Sequence, residues 1–538
     1  MPSTASQPVI VVGASLVGLS AALCLTSHKV PTIVLEKHAG ISKHPRAIGF
    51  TPRTMEIYHT VGIENNDPAP DDFKLERAHV ESVAGKWHES SSWSDTEKKQ
   101  KGETKASDAP KGPSLKKEYS AARGYANPQD KLEPILEARA RELGADIRRE
   151  LKLLNIEQNE SGVTVTVEDS QGVQQQIKGS YLIAADGNRS TVREILQIPR
   201  QGRGFMQTIQ SVLFEAPLQQ WTKGFVQFDI DQPDLKAFLA SYSDGRWALM
   251  FKDTIERDDE ALHAAIYQAV GITEFPVEII TTAQWELTAL VADTFQSGRV
   301  FLAGDAAHTL PPNRGGYGAN TGIHDVHNLA WKIAAVLSGK SFPDLLDTYN
   351  TERRPIALLR HDQIFVRADY KVHLDTATAP GEKIDDDAIE FGQIYISQGI
   401  IGADESLPRA MKPDEWRGQP GTHLPHFWIE RDGQNVSSLD LVGYESWTLL
   451  SECDEWTKAV SEVNGKSPIQ VHSVQFGTDA NITPQGDFQK LFGVSQGGCA
   501  LVRPDGYIAW RSSELPSDAA KALDGAVSQV AFRLDVDE

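Results

Sequence analysis

Apolar positions at the start of the chain fall into two short runs with a helical stretch between them. Pro8-Val9-Ile10-Val11-Val12 is β-branched, Thr32-Ile33-Val34-Leu35 is a second run, and the Leu- and Ala-rich segment from Val17 to Ser27 lies between them. This pattern predicts strand, helix, strand, a βαβ unit. Residues 84 to 124 have another character. Glu97-Lys98-Lys99-Gln100-Lys101 opens a stretch with no apolar periodicity, which predicts a solvated mobile loop or a lid. Leu132, Ile135, Leu136 and Ala140 are spaced for one buried helix face. From about 150 the signal turns to β: Val163 to Val167 alternates, and Tyr181 to Ala185 reads as a buried strand. Between about 200 and 290, Gly224-Phe225-Val226-Gln227-Phe228 and Trp247-Ala248-Leu249-Met250-Phe251 predict an aromatic-rich sheet. The α/β pattern returns at Arg299, and Ile323, Val326, Ala330, Ile333 and Leu337 mark one face of a long helix. A further helical region covers about 342 to 367, and from about 435 a smaller α/β unit holds the strand Cys499-Ala500-Leu501-Val502.

The fold class is therefore α/β. A Rossmann-like domain (1–198 and 290–380) carries an inserted β-sheet domain (199–289). A Gly-, Pro- and Asp-rich linker (381–425) leads to a third domain (426–538). A chain of 538 residues suits this division. The net charge of -21 argues against nucleic acid, whose phosphates need a basic face. Three cysteines with no CxxC pair argue against a disulfide framework or a structural zinc, and fit a reducing compartment. The first apolar run is broken at Gly13 and follows no basic segment, so neither a signal peptide nor a membrane span is expected. A cytoplasmic location is the expectation.

Chemistry enters at three turns. The first reads Gly13-Ala14-Ser15-Leu16-Val17-Gly18, a dinucleotide fingerprint with Ser15 in the middle glycine position. The helix it opens offers free N–H groups and a partial positive charge to a diphosphate. Glu36, at the end of the second strand, is placed to accept hydrogen bonds from a ribose. The second turn is Asp186-Gly187, with Ser190 as a helix cap. The third follows the strand Val300 to Ala303. Gly304-Asp305 opens a loop through Pro311-Pro312 and Gly315, Gly316 and Gly318, and a helix then begins near Asn320. The Asp305 carboxylate suits the hydroxyls of a ribityl chain, and the bare glycines leave room for a flat ring. The helix N-terminus beyond them would stabilise an anionic reduced flavin.

These three turns, in this order, resemble the class A flavoprotein monooxygenases, the p-hydroxybenzoate hydroxylase family. Pro45-Arg46-Ala47 and Arg53-Thr54-Met55-Glu56 are similar to the arginine-bearing segment of that family. Pro128-Gln129-Asp130-Lys131-Leu132-Glu133 is similar to the segment whose polar residue touches the flavin, and Tyr349 through Glu352-Arg353-Arg354-Pro355 to a helix signature. Leu501-Val502-Arg503-Pro504-Asp505-Gly506 resembles the thioredoxin-like domain of phenol and aromatic-polyketide hydroxylases, here without CxxC. The resemblance implies noncovalent FAD held through Gly13, Ser15, Leu16, Gly18, Glu36, Arg46, Gln129, Asp186 and Asp305, with backbone contacts at Gly318, Ala319 and Asn320. It implies NADPH or NADH as electron donor with no second nucleotide fold, and no second glycine fingerprint is found. It further implies hydroxylation of a phenolic or polyketide-derived aromatic by O2 through a flavin C4a-hydroperoxide, and a structural or dimerising C-terminal domain.

Phe225, Trp247, Met250, Trp285 and Pro312 are the candidates for a substrate wall, and no residue is singled out for substrate ionisation. His308 reads as packing. His324 and His327 sit three apart with no ligand set around them, so no metal is expected. Baeyer–Villiger insertion, epoxidation and a flavoprotein that sequesters aromatic ligands without turnover stay open. A flavin halogenase is disfavoured, because the chain has no Trp-x-Trp-x-Ile-Pro segment.

Overall fold

The computed structural model describes residues 7–44, 47–64, 76–92, 117–223, 226–242, 244–253, 255–312, 316–367, 379–483 and 487–534. Arg46, Phe225 and Gly315 lie outside these residues, as does the greater part of the expected loop at 84–124.

The first sheet has six strands. β1 (Val9–Val12) lies at its centre between β2 (Thr32–Leu35) and β3 (Tyr181–Ala184), and β3 pairs with β7 (Val300–Leu302). These pairings are parallel, and every residue of β1, β3 and β7 is buried. That is why those strands read as continuous apolar runs and not as alternation. Helix α1 (Leu16–Ser27) connects β1 to β2 and packs against α6 (Tyr317–Leu337). Two more helices close this layer, α2 (Pro52–Thr60), capped by Thr51, and α3 (Gln129–Glu142). Ile135 departs from the expected face of α3: it is exposed, and Gln129, Leu132, Glu133, Leu136 and Ala140 are the buried positions.

The second sheet has eight strands. Its centre is β4 (Arg200–Glu215) between β5 (Arg246–Phe251) and β6 (Glu278–Ala292), all antiparallel. Two of its strands, Glu76–Val80 and Trp87–Ser92, come from the first third of the chain. The second lies wholly within the segment 84–124, where a loop is expected from the sequence pattern. Its Ser- and Glu-rich composition hid a strand that pairs at the sheet edge, where backbone bonding can do without an apolar face. α5 (Asp259–Val270) covers the back of this sheet and packs on Trp247, Leu249 and Phe251.

The C-terminal part is a four-stranded sheet in the order 471–475, 447–451, 499–502, 508–512, with helices α8 (Asp454–Asn464) and α9 (Ala519–Val530). The segment 381–425, read as a linker, instead holds the helix Asp386–Phe391 and buries Tyr395, Trp416 and Leu424. Its Gly and Pro content serves turns inside a packed region. Among the described residues no helix is long and apolar enough to cross a membrane.

Candidate flavin and substrate site

Glycine packing draws the three sequence turns together. A Cβ on Gly13 would lie 2.3 Å from the Ala185 carbonyl, and one on Gly18 would lie 1.8 Å from the Gly13 carbonyl. The first turn is thus pressed against the Asp186-Gly187 turn at the end of β3. A Cβ on Gly322 would meet Val17 at 2.6 Å and the Gly304 backbone at 2.8 Å. The first turns of α1 and α6 therefore converge on the Gly304-Asp305 loop, with both helix N-termini in one region.

Side chains fix this geometry. The Glu36 carboxylate accepts from the Ala14 N–H at 2.8 Å and from the His38 N–H at 2.8 Å, so it stands at the mouth of the first turn. Gln129 donates to Ser15 Oγ at 2.9 Å and receives the Ala47 N–H, which ties the segment after β2 to the start of α1. Asp186 Oδ2 accepts from the Val192 N–H, and burial pushes its carboxyl above the usual range. Arg193, given no role from sequence, donates to the Asn188 and Ala306 carbonyls and joins the second turn to the third. Asn320 accepts from Thr51 N–H and Thr54 Oγ and donates to the Gly316 carbonyl. Its side chain clamps the start of α6 to the segment before α2.

Asp325 is a further residue that the sequence reading missed. It is fully buried, accepts from the Gly304 N–H, and pairs with His308 Nε2 and Arg353 Nε, each at 2.8 Å. His308 therefore holds the loop, as its reading as a packing residue required. His324 contacts Thr54 Oγ, and burial drives its imidazole well below the ordinary value, so it is neutral. The missed signal was a carboxylate inside an apolar helix face, about two turns into the helix that follows a histidine-bearing loop.

Glu133 has no role of its own in the sequence pattern beyond the segment Pro128–Glu133. It is almost fully buried, and its Oε1 accepts from Ser15 Oγ at 2.6 Å, Gln129 Nε2 at 2.7 Å and the Leu16 N–H at 3.1 Å. Its place four residues after Gln129 on the buried face of α3 was a readable signal.

The front face of the second sheet completes the site. Ser211 pairs with Met250 and Leu213 with Ala248 on that face, Trp285 lies on it opposite Ile209, and Ile48 packs there. His44 Nε2 lies 2.9 Å from Ser211 Oγ. Trp247 points the other way. It is 2% exposed, donates to the Ala216 carbonyl and packs under α5, so the structure removes it from the candidate substrate wall. Strand alternation puts neighbours 247 and 250 on opposite faces. Pro312 is exposed beside the loop, and Gly318 and Ala319 are half-buried on the first turn of α6.

The residues present fit a dinucleotide with a flat ring. A glycine turn opens onto the N-terminus of a twelve-residue helix, a carboxylate stands where a ribose would lie, and a second helix N-terminus faces a glycine loop.

Comparison with known proteins agrees with this geometry. Residues 6–362 match the FAD binding domain family, and residues 417–531 match the family described as aromatic-ring hydroxylase, C-terminal. The chain is 36% identical to tetracenomycin A2 monooxygenase-dioxygenase of Streptomyces glaucescens, over 99% of this chain and 98% of that protein. It is 34% identical to 4-methyl-5-nitrocatechol 5-monooxygenase of a Burkholderia species, over 99% of each. A crystal structure of aklavinone-11 hydroxylase with FAD and aklavinone superposes with a TM-score of 0.86 at 31% identity, covering 98% of this chain and 99% of that one.

Proposed function

Because this chain belongs to the class A flavoprotein monooxygenases, we propose that it hydroxylates a phenolic, polyketide-derived aromatic with O2, at the expense of NADPH or NADH. The observation that carries this reading is the meeting of two helix N-termini and the Gly304-Asp305 loop in front of a half-apolar sheet face. When bound, FAD supplies the redox chemistry, accepting a hydride from the nicotinamide and passing one oxygen atom to the substrate.

The chain's own residues hold and shield. Gly13, Ser15, Leu16 and Gly18 line the diphosphate space, with the Leu16 N–H held by Glu133; Glu36 meets the adenosine ribose, and Asp305 the ribityl hydroxyls. Arg46, Gln129 and Asp186 border the cofactor. The backbone at Gly318, Ala319 and Asn320 faces the ring, and the positive end of α6 favours its reduced, anionic form. Met250 and Trp285 form the apolar side of the substrate space, with Pro312 at its edge. An aromatic held there lies out of water, which protects the oxygen-transfer step. The His44–Ser211 pair offers a polar contact on this face for a phenol or quinone oxygen. The C-terminal unit serves as a thioredoxin-like structural module without redox chemistry.

The test is turnover of FAD-loaded protein with a panel of phenols, anthraquinones and naphthacenequinones. The expected result is aromatic-stimulated oxidation of NADPH or NADH and a product heavier by one oxygen. A ring-expanded or ring-opened product would point to Baeyer–Villiger insertion. Oxidation that no aromatic stimulates would refute the proposal.

A further inference from the structure

Glu133 places a carboxylate where a cofactor diphosphate is read to bind. Its Oε1 takes the Leu16 N–H, one of the first-turn donors that the helix would otherwise offer to an anion, together with Ser15 Oγ and Gln129 Nε2. The residue is 2% exposed, so water screens it little. A carboxylate and a diphosphate at one helix end repel, and in a dry site that repulsion is strong. Moving the carboxylate off the helix would cost it three hydrogen bonds, one of them from the Ser15 hydroxyl. The remaining solution is to neutralise it. Oε1 already accepts three donors, so the proton belongs on Oε2.

We propose that Glu133 is a proton-linked positioning residue for the cofactor, taking one proton from solvent as the FAD diphosphate binds at the N-terminus of α1. The inference rests on that location for the diphosphate. The surroundings favour it. Tyr58 of α2 is buried and held neutral, and Glu36, bound two residues earlier at Ala14, adds negative charge. Arg149 is the nearby cation, and it already pairs with Glu137 at 2.5 Å. Burial pushes the Glu133 carboxyl up even without a ligand, which lowers the cost of protonation. Since a bound diphosphate raises it further, FAD affinity is highest below the free-protein value and falls as pH rises toward the bound value.

The experiment is calorimetric titration of the apoprotein with FAD in two buffers of different ionisation enthalpy, across about pH 6 to about pH 9. The expected result is uptake approaching one proton per FAD, with the dissociation constant rising by up to about tenfold per pH unit within the window. ADP should show the same uptake and riboflavin, without phosphate, none. Glu133→Gln keeps an oxygen for the same three donors, and it should bind FAD at least as tightly with no uptake and a flat pH profile. Absence of uptake in the wild type, unchanged uptake in Glu133→Gln, or a folded Glu133→Gln that fails to bind FAD would overturn the proposal. ADP that competes with FAD but brings no proton sinks the role of Glu133 alone. ADP that does not compete removes the diphosphate from this helix, and the proposal with it.

Discussion

Glu36 shows how much a single strand-end carboxylate decides. Both of its oxygens are already oriented by backbone N–H groups, at Ala14 and His38, so little ordering remains when a ribose arrives. Glu36→Ala is expected to weaken FAD binding by about tenfold or more, roughly 1.4 kcal/mol, read by quenching of flavin fluorescence. The two tryptophans on the sheet should separate cleanly. Trp247→Ala empties a site behind the sheet and should cost about 3–5 kcal/mol in chemical denaturation. Trp285→Ala, on the front face, should leave the melting temperature nearly unchanged and raise KM for the aromatic. At this scale the turns were legible, because Gly13 and Glu36 sit where a tight glycine turn and a strand-end carboxylate can be read from the pattern. Asp325 was not, because it is a charged residue on an otherwise buried helix face, and only the fold reveals what faces it; the i, i+4 spacing of Gln129 and Glu133 was readable, but their shared partner Ser15 was not. Trp247 was misjudged because composition names an aromatic without saying which side of the strand it takes.

Helices α1 and α6 owe their close approach to the absence of a side chain. Gly322 rests on Val17 and on the Gly304 backbone, both firmly placed, so an added methyl has nowhere to go. Gly322→Ala should push α6 outward, cost about 1–3 kcal/mol and weaken FAD binding in parallel, as thermal melts with and without FAD would show. The elements themselves were largely visible from pattern. β1, α1, β2 and β3 appear as read, and so does the long helix α6, except that it starts at Tyr317 and so takes in Gly318 and Ala319, ahead of the expected start near Asn320. What pattern missed was the strand at 87–92, whose residues carry no alternation, and the packed nature of 381–425. In both, backbone pairing or a few buried aromatics outweigh a polar composition.

The whole molecule is joined by charge buried between its parts. Arg503, from the C-terminal sheet, makes two bonds to Glu352 of α7 (Thr348–Val366), at 2.7 and 3.0 Å, and also pairs with Asp505. Lys332 of α6 reaches the same Glu352 at 2.8 Å, and the Asp505 carbonyl accepts from Arg53 of α2. Every one of these groups is buried. Arg503 and Lys332 hold the Glu352 carboxyl well below the usual range, and Arg503 does the same for Asp505. The stability these carboxylates confer is complete above the ordinary carboxylate range and is lost as pH falls through their depressed values. Arg503→Met would leave buried charge unpaired and should cost about 3–5 kcal/mol near neutral pH, measured by denaturation, with a shallower loss toward acid. Helix α6 both opens at the flavin loop and carries Lys332, so the same variant should loosen FAD. Exchange of modules between relatives meets a constraint here. A C-terminal unit grafted from another hydroxylase carries its own key into a lock cut by Glu352, Lys332 and Arg53. Hybrids that swap the unit without its matching helix positions should be recovered as insoluble or flavin-free protein, while hybrids that move the set together should stay yellow.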